Sequence, residues 1–268
     1  MNYRHAFHAG NFADLVKHAA LLAMLRELTA GGGPLTVIDT HGGAGMYDLG
    51  GEEARRSGEA ADGIGRLMAD AGAPAELGPL KQAVAGLNPG ELRLYPGSPV
   101  LAARAIRPGD RLIACEIHPT DQDLLRRALA AYPNARVVGE DGYRTLVAHA
   151  GAPRLLALVD PPFERPDDYQ QAADALAAVL RANAAATVCV WLPLKDLETF
   201  DAFLRRVEAS ALVVEVRMRP LIDPMKMNGC ALVIANPTPG LEEALRPACE
   251  WVVERLGEAG GKARIWHL

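Results

Sequence analysis

Four consecutive residues, Asp160-Pro161-Pro162-Phe163, end the apolar run Leu155 to Val159, and packing alone does not ask for that order. The stretch offers two hydrogen-bond acceptors, the Asp160 carboxylate and the Pro161 carbonyl, on a backbone whose φ is fixed by two proline rings. Phe163 adds a flat face on which a base can stack. These parts suit a reaction at the exocyclic amine of adenine, a poor nucleophile because its lone pair is delocalised into the ring. Each acceptor takes one amino hydrogen, and the lone pair is aimed at an incoming methyl group. Asp160, Pro161 and Phe163 are the candidate catalytic residues.

Three further acids stand at the ends of strand-like runs. "PLTVID" ends in Asp39 and passes through Thr40 and His41 into "GGAG", where glycine permits positive φ and lets a nucleotide-like ligand approach the backbone. "RLIACEI" carries Glu116, placed as the acid that binds a ribose diol in open α/β sheets. "ARVVGED" ends in Asp141 with Gly142 after it, positioned for the other face of a bound adenine. "PGSPVLAARAI" reads as a helix with Ser98 as N-cap and Pro99 in its first turn, an N-terminus able to receive a carboxylate. The tips alone leave two cofactors open, a nicotinamide dinucleotide or S-adenosylmethionine. DPPF favours the second, since hydride transfer has no use for it.

Strand-like runs at 34–39, 111–117, 135–141, 155–160, 186–193, 211–218 and 229–236 predict seven strands. Helical patterns lie between most of them, so the expectation is an α/β fold with a doubly wound, mostly parallel sheet. Only "RPLIDPMKMNG" separates the last two strands, too short for a crossover helix, and that pair should be antiparallel. A helix is expected over 11–28. Residues 49–95 break the alternation and are expected to form a helical insertion, dividing the chain into 1–48 with 96–268 and the insertion between them.

At 268 residues with 50% hydrophobic content, the chain has material for a large core. The four cysteines have no ligand-like spacing and are expected to be reduced core thiols, with no metal. The N-terminus is too polar for a signal peptide, and no run approaches the ~20 residues of a membrane span. A cytoplasmic monomer is expected. A net charge of −5 and pI near 5.8 argue against a general nucleic-acid coat. Nucleic-acid contact must then be local, and Arg217, Arg219 and Lys226, opposed only by Asp223 around the last inter-strand loop, are the candidate RNA contacts.

In order along the chain, "YRHAFHAGNFADLVKH", "DTHGGAG", "YPGSP", "EIHP", "EDG" and "DPPF" resemble the RlmJ family of 23S ribosomal RNA adenine methyltransferases, and DPPF resembles the [DNS]PP[YFW] signature of amino methyltransferases. The resemblance spans nearly the whole chain. It implies a Rossmann-like class I methyltransferase fold, S-adenosylmethionine as cofactor, and 23S RNA as partner, with adenine 2030 the target by the family's full name. It also implies that Lys17, His18, His41, Ser98, Glu116, Asp141 and Gly142 contact the cofactor, that Asp160 is catalytic, and that Tyr3 and His5 lie over the substrate pocket. Phe163 stands where the family often has tyrosine, and Gly43 where it often has alanine. Two rival readings are an amino methyltransferase acting on adenine or guanine of DNA or another RNA, and a non-catalytic ribosome-assembly factor.

Overall fold

The computed structural model describes residues 4–223 and 227–268, so the candidate contacts Tyr3 and Lys226 lie outside the described residues. The first long element is α1 (Phe12–Ala30), started by Asn11, whose side chain accepts from the Asp14 amide. Asparagine is favoured there because it satisfies an amide that has no partner inside the helix. Helix α1 is buried along most of its length, from Ala13 through Leu25, and packs against α5 (Ser98–Ala105) and α10 (Leu241–Leu256).

Strands β1 (Thr36–Asp39), β4 (Arg111–Cys115), β5 (Ala135–Val138), β6 (Leu155–Val159) and β7 (Thr187–Leu194) run parallel in the order β5-β4-β1-β6-β7. Helices α5, α6 (Pro119–Leu129), α7 (Gly142–Ala148), α8 (Asp168–Ala182) and α9 (Leu197–Leu204) alternate with the strands, giving the expected Rossmann-like, doubly wound sheet. Alternate residues of β6 serve two cores: Leu156 and Leu158 face the α1 side, while Leu155, Ala157 and Val159 face α8. A strand buried on both faces needs an unbroken apolar run, which is what the sequence shows.

Beyond β7 the sheet continues through β9 (Gly229–Ala235) to β8 (Ala211–Arg217), and β9 is antiparallel to both, as the short loop required. The expected seven strands become eight: β10 (Lys262–His267) pairs antiparallel with β8 at the edge. Its residues, KARIWH, follow the Gly260-Gly261 turn and alternate charge with apolar character only in part, and pairing with β8 makes them a strand.

Strands β2 (Met46–Asp48) and β3 (Leu94–Pro96) pair with each other on either side of the inserted segment. That segment holds α2 (Glu52–Ser57), a π-type turn at Ala61–Gly65, α3 (Arg66–Ala69) and α4 (Gly78–Ala85). Its Ile64, Leu67, Leu80 and Val84 belong to the same core cluster as α1, so it packs on the main body rather than standing off from it. All four cysteines are buried and free. No helix among the described residues is long and apolar enough to cross a membrane.

Candidate active site

Parallel register places the acids together. Asp39 aligns with Ala114 on one side and Leu158 on the other. Glu116 and Asp160, each two residues further on, therefore flank the turn leaving β1, at the carboxyl edge where open α/β sheets take ligands. Backbone bonds knit the three tips: Thr40 N–H to the Leu158 carbonyl at 3.0 Å, and Gly42 N–H to the Cys115 carbonyl at 2.8 Å. Gly43 sits at φ +56°, and a Cβ there would strike the Tyr47 hydroxyl.

Glu116 accepts from Gly43 N–H at 3.0 Å and from His118 N–H at 2.7 Å, and burial raises its carboxyl. Each oxygen keeps capacity for another donor. Asp39 is buried; His41 N–H donates to its Oδ1 at 3.2 Å, and among the described residues Oδ2 has no hydrogen-bond partner. Burial pushes Asp39 up to about 6, against the Ser98 hydroxyl, which favours the ionised form. Ser98 is not the expected N-cap of α5. The N-cap of α5 is Gly97, without a side-chain cap, and Ser98 is already helical. Gly97 N–H bonds to the Gly45 carbonyl at 2.8 Å, which draws the chain against the glycine turn and directs Ser98 to Asp39.

His41 Nδ1 lies 2.7 Å from Thr40 Oγ1, and its ring meets Tyr143 edge-on with centroids 5.1 Å apart. Burial pushes His41 down to about 4, so the imidazole is neutral near pH 7. Asp141 caps α7 by accepting from Arg144 N–H at 2.8 Å. Gly142 packs so tightly on Thr40 that any Cβ would overlap the Thr40 carbonyl.

Asp160 is tied to the N-terminal block. Lys17 Nζ donates to Asp160 Oδ2 at 2.6 Å and pairs with Asp14 Oδ1 at 2.8 Å. Burial alone would lower the Lys17 pKa, but the two carboxylates hold it well above its ordinary value. Burial would likewise raise Asp14, and His5 and Lys17 instead hold it well below the usual range. His5 Nε2 is 3.0 Å from Asp14 Oδ2. His18 has no solvent exposure; its Nδ1 lies 2.7 Å from the Tyr95 hydroxyl, and burial pushes it down to about 3.

Phe163 has φ +51°, a left-handed conformation that costs a bulky residue about 1–3 kcal/mol. The turn carries its ring to Tyr169, with centroids at 4.6 Å, and to Trp191 at 5.8 Å. The half-buried ring is thus backed by two others. The two candidate RNA arginines that the structure describes are each paired with an acid. Arg217 is bonded to Glu215 and mostly buried, and Arg219 pairs with Glu258 at 2.8 Å.

The residue-level reading did not single out Asp14, Tyr95, Tyr143, Tyr169 or Trp191. Asp14 carried one signal, its i,i+3 spacing to Lys17 on α1; the others come together only in the fold.

The family model described as "Ribosomal RNA large subunit methyltransferase D, RlmJ" matches residues 32–268. Two curated relatives, each named ribosomal RNA large subunit methyltransferase J, come from Escherichia coli K12 and Haemophilus influenzae. The first is 34% identical over 267 residues, with 97% of this chain and 95% of the relative covered. The second is 32% identical over 268 residues, with the same coverage. A crystal structure of a Legionella pneumophila protein aligns with a TM-score of 0.89 at 29% identity, covering 97% of this chain and 98% of that one. The chain belongs to the RlmJ family of ribosomal RNA large subunit methyltransferases.

Proposed function

We propose that this protein transfers a methyl group from S-adenosylmethionine to the exocyclic amine of one adenine in 23S ribosomal RNA, adenine 2030 by the family's name, in the cytoplasm where ribosomes are assembled. The donor set fits that cofactor. Asp39 has a buried oxygen without a partner, suited to an ammonium group, and Glu116 stands at the neighbouring tip with capacity for a ribose diol. Ile117, apolar and 54% exposed, follows it as a surface for adenine. When bound, S-adenosylmethionine supplies an electrophilic methyl group.

The chain's own residues orient the nucleophile. Lys17 occupies Asp160 Oδ2, which fixes the carboxylate's rotation and leaves Oδ1 for one amino hydrogen. The Pro161 carbonyl takes the other. As the N–C bond forms and the methyl–sulfur bond breaks, positive charge grows on the amine; the adjacent carboxylate stabilises it without having to move, and the surplus amine proton then leaves to water. The target base must leave its stack to reach this depth, and Phe163, backed by Tyr169 and Trp191, offers the surface that replaces the lost stacking.

The observation that carries the reading is the position of Asp160: in a DPPF turn, at a strand tip beside the glycine turn, held by a buried lysine. Mass spectrometry of 23S RNA from cells lacking the protein should show one adenine without its N6-methyl group, and purified protein with tritiated S-adenosylmethionine should restore it. Unchanged RNA, or label transferred to DNA instead, would overturn the reading.

A further inference from the structure

The helical insertion meets the N-terminal segment through polar contacts that hydrophobic packing does not explain. Glu59, between α2 and the π-type turn, accepts from Asn11 Nδ2 at 2.9 Å and lies 2.9 Å from His8 Nδ1. Ile64 N–H bonds to the Gly10 carbonyl at 2.8 Å. At that point Gly63 leaves no room for a Cβ above the Gly10 carbonyl, and Gly10 itself sits at φ +78°. Insertion and N-terminal segment are thus joined backbone to backbone.

From Asn11 the contacts lead to the reaction site. Its other amide end, Oδ1, accepts from Asp14 N–H at 3.0 Å. Asp14 in turn binds Gly10 N–H at 2.8 Å and Lys17 Nζ at 2.8 Å, and Lys17 reaches Asp160 at 2.6 Å. Asn11 is the link whose two ends face different elements, the insertion on one side and the first turn of α1 on the other.

Resting on the function proposed above, we infer that the insertion is a positioning device for catalysis: Glu59 holds Asn11, and through Asp14 this sets Lys17 on Asp160. Glu59 and Asn11 are positioning residues and need not touch substrate or cofactor. Orientation of this kind is sensitive, because a displacement near 1 Å remote from the chemistry can cost about a hundredfold in rate.

The test separates positioning from helix capping. Asn11→Asp keeps a cap of similar quality but sets a carboxylate against Glu59 where an amide donor stood. Adding Glu59→Gln restores one donor and one acceptor with the direction reversed. With full-length protein and 23S RNA, assayed well below the Tm of each variant, Asn11→Asp should lower kcat by about tenfold or more, with KM for RNA little changed, and the double variant should recover most of the loss. Wild-type kcat in the single variant, or a loss that the double variant does not recover, overturns the inference. Wild-type protein that leaves 23S RNA unmethylated overturns the function reading instead. The linkage is then read from hydrogen exchange at the Ile64 amide, which should quicken in the single variant and slow again in the double; unchanged exchange overturns it.

Discussion

At the β6 tip, Lys17 bridges Asp14 and Asp160, the latter 143 residues away in the chain, with side-chain exposures of 6%, 1% and 16%. At the end of β8, Arg217 pairs with Glu215 two residues back, and just past it Arg219 pairs with Glu258, the last two with exposures of 33% and 61%. The first group has little access to water, so removing any member leaves charge that solvent cannot screen. The Arg219 pair has water as an alternative partner and is worth little by itself. The Arg217–Glu215 pair is as enclosed as the Lys17 group but joins residues of one strand, so what marks the Lys17 group is burial together with a partner from a remote segment at the strand tip.

The largest effect is expected from Lys17→Ala. It leaves buried Asp14 with only the histidines beside it and Asp160 with no lysine, and loss of one partner from a buried pair costs about 3–5 kcal/mol. Urea unfolding should show that loss together with abolished methyl transfer; stability close to wild type would mean that the network is wetter than its burial indicates.

Asp160→Ala should lower methyl transfer by about a hundredfold or more, because the amine loses one of its two orienting acceptors. S-adenosylmethionine affinity, measured by calorimetry, should be retained. A variant with substantial turnover would move the orienting role elsewhere.

Asp39 sharpens the comparison through pH. Its pKa is raised in the folded protein to about 6, from an ordinary 3.8, chiefly by burial. Between those values the folded state binds more protons than the unfolded one, so this group's contribution to stability declines as pH rises and is fully lost above about 6. Asp39→Asn should remove the dependence and gain stability relative to wild type above pH 6, by roughly 3 kcal/mol for a two-unit shift. Equal urea midpoints at pH 5 and pH 7.5 in both proteins would show that Asp39 is not held protonated by burial.

Phe163→Ala should weaken productive RNA binding by roughly 1–3 kcal/mol if one base stacks on the ring. Phe163→Tyr should retain most transfer. An alanine variant that melts early yet methylates normally at low temperature would assign the ring to packing against Tyr169 and Trp191 alone.

The smallest effect is expected at the exposed pair. If Arg219 reaches RNA, it must leave Glu258, so Glu258→Gln should tighten RNA binding by a few-fold, and Arg219→Gln should flatten its salt dependence by about one unit, the share of one phosphate contact. An unchanged slope would remove Arg219 from the RNA face.

The parallel sheet and the acids at its tips were legible from apolar runs, several ending in Asp or Glu, and the antiparallel β8–β9 pair from the short loop between its runs. Such signals are local: a run long enough to be buried on both faces, a loop too short for a helix, an acid beside glycine. Strand β10 was not legible, because KARIWH becomes a strand only when β8 offers it an edge. Ser98 was read as a cap because serine before proline usually is one; Gly97, drawn to the Gly45 carbonyl, took that place.

By itself the sequence determined the order of strands and helices, the DPPF turn, and the family, because these depend on residue types a few positions apart. Tertiary structure alone decided which charges are bound together. Nothing in the neighbourhood of Lys17 or Asp160 along the chain indicates a 2.6 Å contact between them, or that Glu59 bonds to the asparagine starting the same helix. Nor does the spacing of Arg217 and Glu215 show that their pair is mostly buried. The strength of a charge depends on its distance to partners and on the water around it, and both are fixed only when the sheet brings remote segments to one edge.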